Sequence, residues 1–271
     1  MAAVVTGGGA GIGREICLSL AGEGMNVVVA DLDEGRARDV AGEVEAKGVK
    51  ALAVACNVGD AAAVEALADK AYGAFGAVNV LCNNAGVVQF GPVSEAPQDD
   101  WEWLFKANLW GVVNGIRTFV PRMKAQGQPA HIVNTASLSG IFAVPGLGVY
   151  TASKYAVVGI TETMRMELKP YGIGASVLCP GPTPSRIGET ARLRTIAGAP
   201  ALDPQDADLS YLGWQEPSVV ARCVRDGIKA NRLYLFTTAP GRIATEKRFN
   251  AMLRDFEAAP QPSEAARPKR G

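Results

Sequence analysis

Seven short apolar runs, ending near Thr6, Ala30, Ala55, Cys82, Ala136, Cys179 and Phe236, alternate along the chain with stretches of helical period. The runs show little polar–apolar alternation, as parallel strands covered on both faces require. Between them, residues 101–120 carry Trp101, Leu104, Phe105, Asn108, Leu109, Val112, Val113, Ile116, Phe119 and Val120 at three- and four-residue steps. Such β–α alternation predicts an α/β fold: one doubly wound parallel sheet of about seven strands, with right-handed crossovers and helices on both faces. No repeat or long linker divides the chain, so a single domain is expected over 1–257. Residues 182–214, with four prolines and the aromatics Tyr211 and Trp214, break the rhythm and are expected to form a lid. Residues 258–271, rich in Ala, Pro and charge, read as a disordered tail.

Composition narrows the partners. The 27 basic and 27 acidic residues balance, leaving no strong field for nucleic acid or an anionic membrane, so a small molecule is the expected partner. Cysteines 17, 56, 82, 179 and 223 are scattered and contain no CxxC pair, which reads as free, mostly buried thiols. The single histidine, His131, opens an apolar strand and is expected to be structural; one His builds neither a His-based metal site nor a Ser-His-Asp triad, and no metal is expected. No apolar run reaches the ~18 residues of a membrane span, and the chain begins almost on its first strand, so a cytoplasmic protein is expected.

The first strand runs into Thr6-Gly7-Gly8-Gly9-Ala10-Gly11-Ile12-Gly13, where a helix begins. Glycines there permit a tight turn and let the backbone approach a pyrophosphate at the positive end of the helix. Asp31 ends strand two, eighteen residues past Gly13, close to the ~20 expected of an acid that bonds the adenosine ribose. Asp33 is the better N-cap for the next helix, which leaves Asp31 free to face the ribose. A carboxylate at that point repels a 2′-phosphate, and the glycine turn holds no Arg or Lys, so NAD is the expected cofactor. Arg36 and Arg38 sit at helical positions expected to face solvent.

Thirteen residues after Ser137 comes Tyr150-Thr151-Ala152-Ser153-Lys154. On a helix, Tyr150 and Lys154 share a face one turn apart. A phenol titrates near ~10; an ammonium one turn away is expected to lower that value and give a general acid/base.

In order and spacing these pieces resemble the short-chain dehydrogenase/reductase family over nearly the whole chain. The family's glycine pattern appears as Thr6 to Gly13, its NNAG motif as Asn83-Asn84-Ala85-Gly86, and its helix-four asparagine as Asn108. Ser137 ends strand five, Tyr150 to Lys154 form YxxxK, and Pro180-Gly181 is the turn after strand six. The resemblance implies a Rossmann-type domain with Tyr150 as proton donor or base and Ser137 bonding the reacting oxygen. It also implies that Lys154 lowers the Tyr150 pKa and bonds the nicotinamide ribose, and that the Asn108 carbonyl holds a water. The implied cofactor contacts are Gly7, Ala10, Gly11, Ile12, Gly13, Asp31, Leu32, Asn57, Val58, Asn84, Ala85, Gly86, Thr135, Tyr150, Lys154, Pro180, Gly181 and Thr183. Asn57 stands where the family commonly has Asp, and its amide oxygen is expected to accept from the adenine amino group. Phe90-Gly91-Pro92-Val93, the helix ending Thr118 to Met123, and Leu233 to Thr237 resemble bacterial aromatic-alcohol dehydrogenases of the lignin Cα type.

A substrate over the carboxyl ends of the strands is expected to meet Gln89, Phe90, Leu138, Phe142, Leu147, Tyr211 and Trp214. These are largely apolar, which suits a hydrophobic or aromatic secondary alcohol and its ketone. An NADPH-dependent 3-oxoacyl thioester reductase and a non-catalytic dinucleotide sensor are the alternatives. The family's habit of pairing helix 101–120 and the Tyr150 helix with symmetry mates implies a homotetramer, or failing that a dimer.

Overall fold

A computed structural model describes residues 1–187 and 212–260. Seven parallel strands form one sheet in the order β3-β2-β1-β4-β5-β6-β7. They are β1 Ala2–Thr6, β2 Asn26–Asp31, β3 Ala51–Ala55, β4 Val80–Asn83, β5 Ala130–Thr135, β6 Ile173–Cys179 and β7 Tyr234–Phe236. The strands end within a residue of where the apolar runs end, and the polar side chains they bury are paired, His131 with Ser176 and Asn134 with Asn83 and Thr161. Two apolar clusters fill the two faces: Val5, Val27, Val29 and Val133 under Ile16 and Leu20 on one, and Val4, Val28, Leu81 and Ile132 under Leu67 and Phe119 on the other.

The helices are α1 Gly11–Ala21, α2 Glu34–Glu45, α3 Ala61–Phe75, α4 Gln98–Phe105, α5 Gly111–Gln126, α6 Gly148–Leu168, α7 Pro217–Lys229 and α8 Gly241–Glu257. Asp33 caps α2 as expected, its carboxylate accepting from Arg36 N at 3.2 Å. Asp60 does the same for α3, accepting from Ala62 N at 2.9 Å. One departure lies between α4 and α5: residues Lys106–Trp110 wind as a π-helix inside the stretch expected to be regular. It carries Asn108 at its centre, fully buried, the kind of functional position where such bulges gather.

The strand order reverses between β1 and β4, so the loops after them diverge and leave a crevice beyond their carboxyl ends. Tyr211 and most of 182–214 lie outside the described residues, as do 261–271 of the expected tail. Among the described residues no helix is long and apolar enough to cross a membrane, and no cluster of potential metal ligands occurs. All five cysteines are free, and four are buried.

Candidate active site

A cleft of about 470 Å³ occupies the crevice. Its floor is the glycine turn after β1. Gly7 has φ +63°, and a methyl built on it would stand 2.8 Å from the Ala85 Cα. A methyl on Gly13 would fall 2.0 Å from the Gly7 carbonyl oxygen. Neither position admits a side chain, so bare backbone and the first turn of α1 face the cleft, which suits a diphosphate.

The ends of β1, β4 and β5 are knitted together behind that floor. Thr6 Oγ1 accepts from Asn84 N at 3.0 Å and Ala85 N at 3.1 Å. Asn84 Nδ2 donates to the Thr6 and Gly7 carbonyls, and Thr135 Oγ1 donates to Asn84 Oδ1 at 3.4 Å. The NNAG residues therefore hold the turn in shape while Asn84, Ala85 and Gly86 line the cleft.

One end of the cleft is acidic. Asp31 accepts from Gly9 N at 2.9 Å and from Asp33 N at 3.1 Å, and stands among Leu32, Asp33, Asn57 and Val58. Asn57 Oδ1 also accepts from Gly59 N at 3.1 Å, so the oxygen expected to meet adenine already braces its own turn. Arg36 departs from expectation: it lines the cleft, with Nε 3.1 Å from Asp33 Oδ2. The β1–β2 pairing brings the start of α2 against Gly9, which turns this first-turn arginine inward.

The other end holds Tyr150 and Lys154, both buried and both lining the cleft. Lys154 Nζ donates to the Thr135 carbonyl at 3.0 Å and lies 5.5 Å from the centre of the Tyr150 ring. The expected net lowering of the Tyr150 pKa is corrected here. Burial pushes the phenol up to about 12, and the group that works against burial is Ser137, through its hydrogen bond. Burial also draws Lys154 down to about 8. The ammonium is turned toward the Thr135 carbonyl, and both groups share a dry wall that penalises charge.

Asn108 and Ser137 stand just behind the lining. Asn108 accepts from Val87 N at 2.8 Å and donates to the Val87 carbonyl at 2.9 Å and to Ser153 Oγ at 3.2 Å. Ser153 in turn donates to the Tyr150 carbonyl at 2.7 Å. The loop after β4, the π-helix and the Tyr150 helix are thus joined by two buried side chains. Ser153, inside the YxxxK run, was the residue that spacing alone did not single out.

Ala10, Ile12, Pro180, Ser185, Arg186 and Ile187 complete the walls. Gly11, Gly181 and Thr183 fall outside the lining; Thr183 Oγ1 bonds the Gly181 carbonyl at 3.0 Å. Of the expected substrate residues, none of the six that are described lines this cleft. Leu138, Phe142 and Leu147 are buried beside Tyr150 in a third apolar cluster, against which Phe90 packs. Gln89 bonds the buried Asp100, and Trp214 is exposed.

The family model for short chain dehydrogenases matches residues 1–195. This chain belongs to that family. A C alpha-dehydrogenase from Sphingobium is 34% identical over 98% of this chain and 89% of its own. A 1-deoxy-11-beta-hydroxypentalenate dehydrogenase from Streptomyces exfoliatus is 36% identical over 96% of this chain and 90% of its own. Among solved structures, a family member from Burkholderia phymatum in complex with NAD is similar at TM-score 0.85 and 38% identity, over 97% of this chain and 96% of that one. A 3-ketoacyl-(acyl-carrier-protein) reductase from Brucella melitensis complexed with NADH matches at TM-score 0.76 and 27% identity, over 88% of this chain and 96% of that one. The chain is an oxidoreductase of this family, whose cofactor is a nicotinamide dinucleotide.

Proposed function

We propose that this protein transfers hydride between NAD(H) and a hydrophobic or aromatic secondary alcohol and its ketone, with Tyr150 as general acid/base. The observation that carries the reading is a single cleft with Asp31 at one end and Tyr150 beside Lys154 at the other. When bound, the dinucleotide supplies the hydride acceptor or donor. The glycine turn and the start of α1 hold its diphosphate, and Asp31 accepts from the adenosine ribose hydroxyls.

Tyr150 gives its proton to the carbonyl oxygen as it gains charge during reduction, and takes it back during oxidation. A phenol held up at about 12 stays protonated through neutral pH, as an acid must. Ser137 donates its one hydrogen bond to the Tyr150 oxygen before substrate arrives and to the reacting oxygen once substrate is bound. Lys154, anchored on the Thr135 carbonyl, presents its ammonium to the nicotinamide ribose. Near Tyr150 the cleft is lined by the apolar Val87, Ala136 and Pro180, which supports a substrate without charge. Assembly as a homotetramer is part of the same proposal, supported by the family resemblance and by Trp110, which is 52% exposed on the π-helix. A monomeric mass by light scattering at micromolar concentration contradicts it.

Choice of cofactor does not separate this reading from a 3-oxoacyl thioester reductase, since one such reductase is itself complexed with NADH. The deciding experiment is turnover with NAD(H) and NADP(H) on aryl and alkyl secondary alcohols, their ketones and a 3-oxoacyl thioester. Faster turnover of the thioester than of any ketone overturns the substrate assignment; no turnover at all favours a sensor.

A further inference from the structure

At the acidic end of the cleft three charged side chains meet. Asp31 and Asp33 flank Leu32 where β2 ends, and Arg36 rises from the first turn of α2. A methyl built on Gly9 would lie 2.9 Å from both the Arg36 Cβ and Asp31 Oδ2, so the arginine starts beside the carboxylate. Its guanidinium is turned instead to Asp33, Nε to Oδ2 at 3.1 Å, while Asp33 Oδ1 caps the helix. Both side chains of this pair are over a third exposed, so water competes for it and it opens easily.

We infer that Arg36 is a latent 2′-phosphate ligand: Asp33 holds its guanidinium away from a position that Asp31 guards with negative charge, and the arginine binds phosphate once both carboxylates are neutralised. The inference rests on the NAD preference proposed above. Two carboxylates and one guanidinium leave the ribose end net negative, which opposes a further phosphate. The forked donors of an arginine match a phosphate bidentately once no carboxylate competes for them. Specificity here is a repulsive group set beside an attractive one that is kept occupied.

The test uses adenosine 5′-monophosphate and adenosine 2′,5′-bisphosphate, titrated by calorimetry into wild type, Asp31→Asn/Asp33→Asn, and that double variant with Arg36→Ala added. Asn at 33 keeps the capping oxygen, and Asn at 31 keeps an oxygen for Gly9 N. A thermal melt checks each fold, with Asp33→Ser as the substitute cap. The bisphosphate-to-monophosphate affinity ratio should rise at least ~tenfold in the double variant and return to within about twofold of wild type when Arg36 is removed. No rise, or a rise that survives the loss of Arg36, overturns the assignment. The NAD preference is read separately, from wild-type kcat/KM with the two cofactors. Equal values contradict that preference, and the binding ratios still decide the role of Arg36.

Discussion

Asp31 accepts the backbone N–H of Gly9 through Oδ2 at 2.9 Å, tying the end of β2 to the turn that follows β1. The carboxylate therefore shapes the glycine turn as well as serving the proposed ribose contact. Asp31→Ala loses both the tie and the charge, whereas Asp31→Asn keeps an oxygen for the tie. Both variants should narrow the NAD/NADP ratio of kcat/KM, wild type preferring NAD by at least ~tenfold. Only Asp31→Ala should also lose about 1–2 kcal/mol of stability, as an unpaired donor costs. Equal denaturation midpoints for the two variants contradict the structural half of this account.

His131 sits buried in β5 with Nε2 2.7 Å from Ser176 Oγ. Burial, and then Arg165, lower its pKa from the 6.5 of a free imidazole to about 4. The unfolded chain therefore binds a proton that the folded chain refuses between pH 6.5 and pH 4, and stability falls as pH falls through that window. The loss should reach about 3 kcal/mol near pH 4. Denaturation curves across the window should show a smaller pH slope for His131→Gln; an unchanged slope contradicts the buried, neutral assignment.

The strand ends were legible because most residues in each strand are apolar and the run stops within a residue of where the sheet stops, as at Thr6, Ala55 and Cys179. The glycine turn, the NNAG run and Tyr150 with Lys154 were legible because each depends on neighbours in sequence. Arg36 was not, since its inward turn depends on β1 lying beside β2 and on Gly9 offering no side chain to exclude it. The π-helix was hidden because apolar residues continue through it at spacings that also suit a regular helix. The height of the Tyr150 pKa was hidden too: burial, which spacing does not report, outweighs the Ser137 hydrogen bond. Leu138, Phe142 and Leu147 follow the carboxyl end of β5, where a substrate is expected, but they pack with Tyr150 into the core rather than along the cleft.

Ser137 supplies the hydrogen bond that lowers the Tyr150 pKa against the effect of burial. Removing it should move the phenol further up. In the oxidising direction the rate needs phenolate and rises with pH, so Ser137→Ala should shift that limb of the kcat profile to higher pH as well as lower the plateau. A limb that stays in place, or moves to lower pH, contradicts the role given to Ser137.

The central claim is that Tyr150 exchanges the proton. Tyr150→Phe keeps the ring against the apolar cluster and deletes only the hydroxyl, so dinucleotide binding should survive. General acid/base catalysis contributes ~10²–10⁴-fold, and kcat for the best substrate should fall by that factor while the dissociation constant for NADH stays within about threefold. Single-turnover reduction of a ketone by the Tyr150→Phe protein loaded with NADH measures this directly. A loss in that range with NADH still bound is the predicted result; near-wild-type turnover contradicts the account.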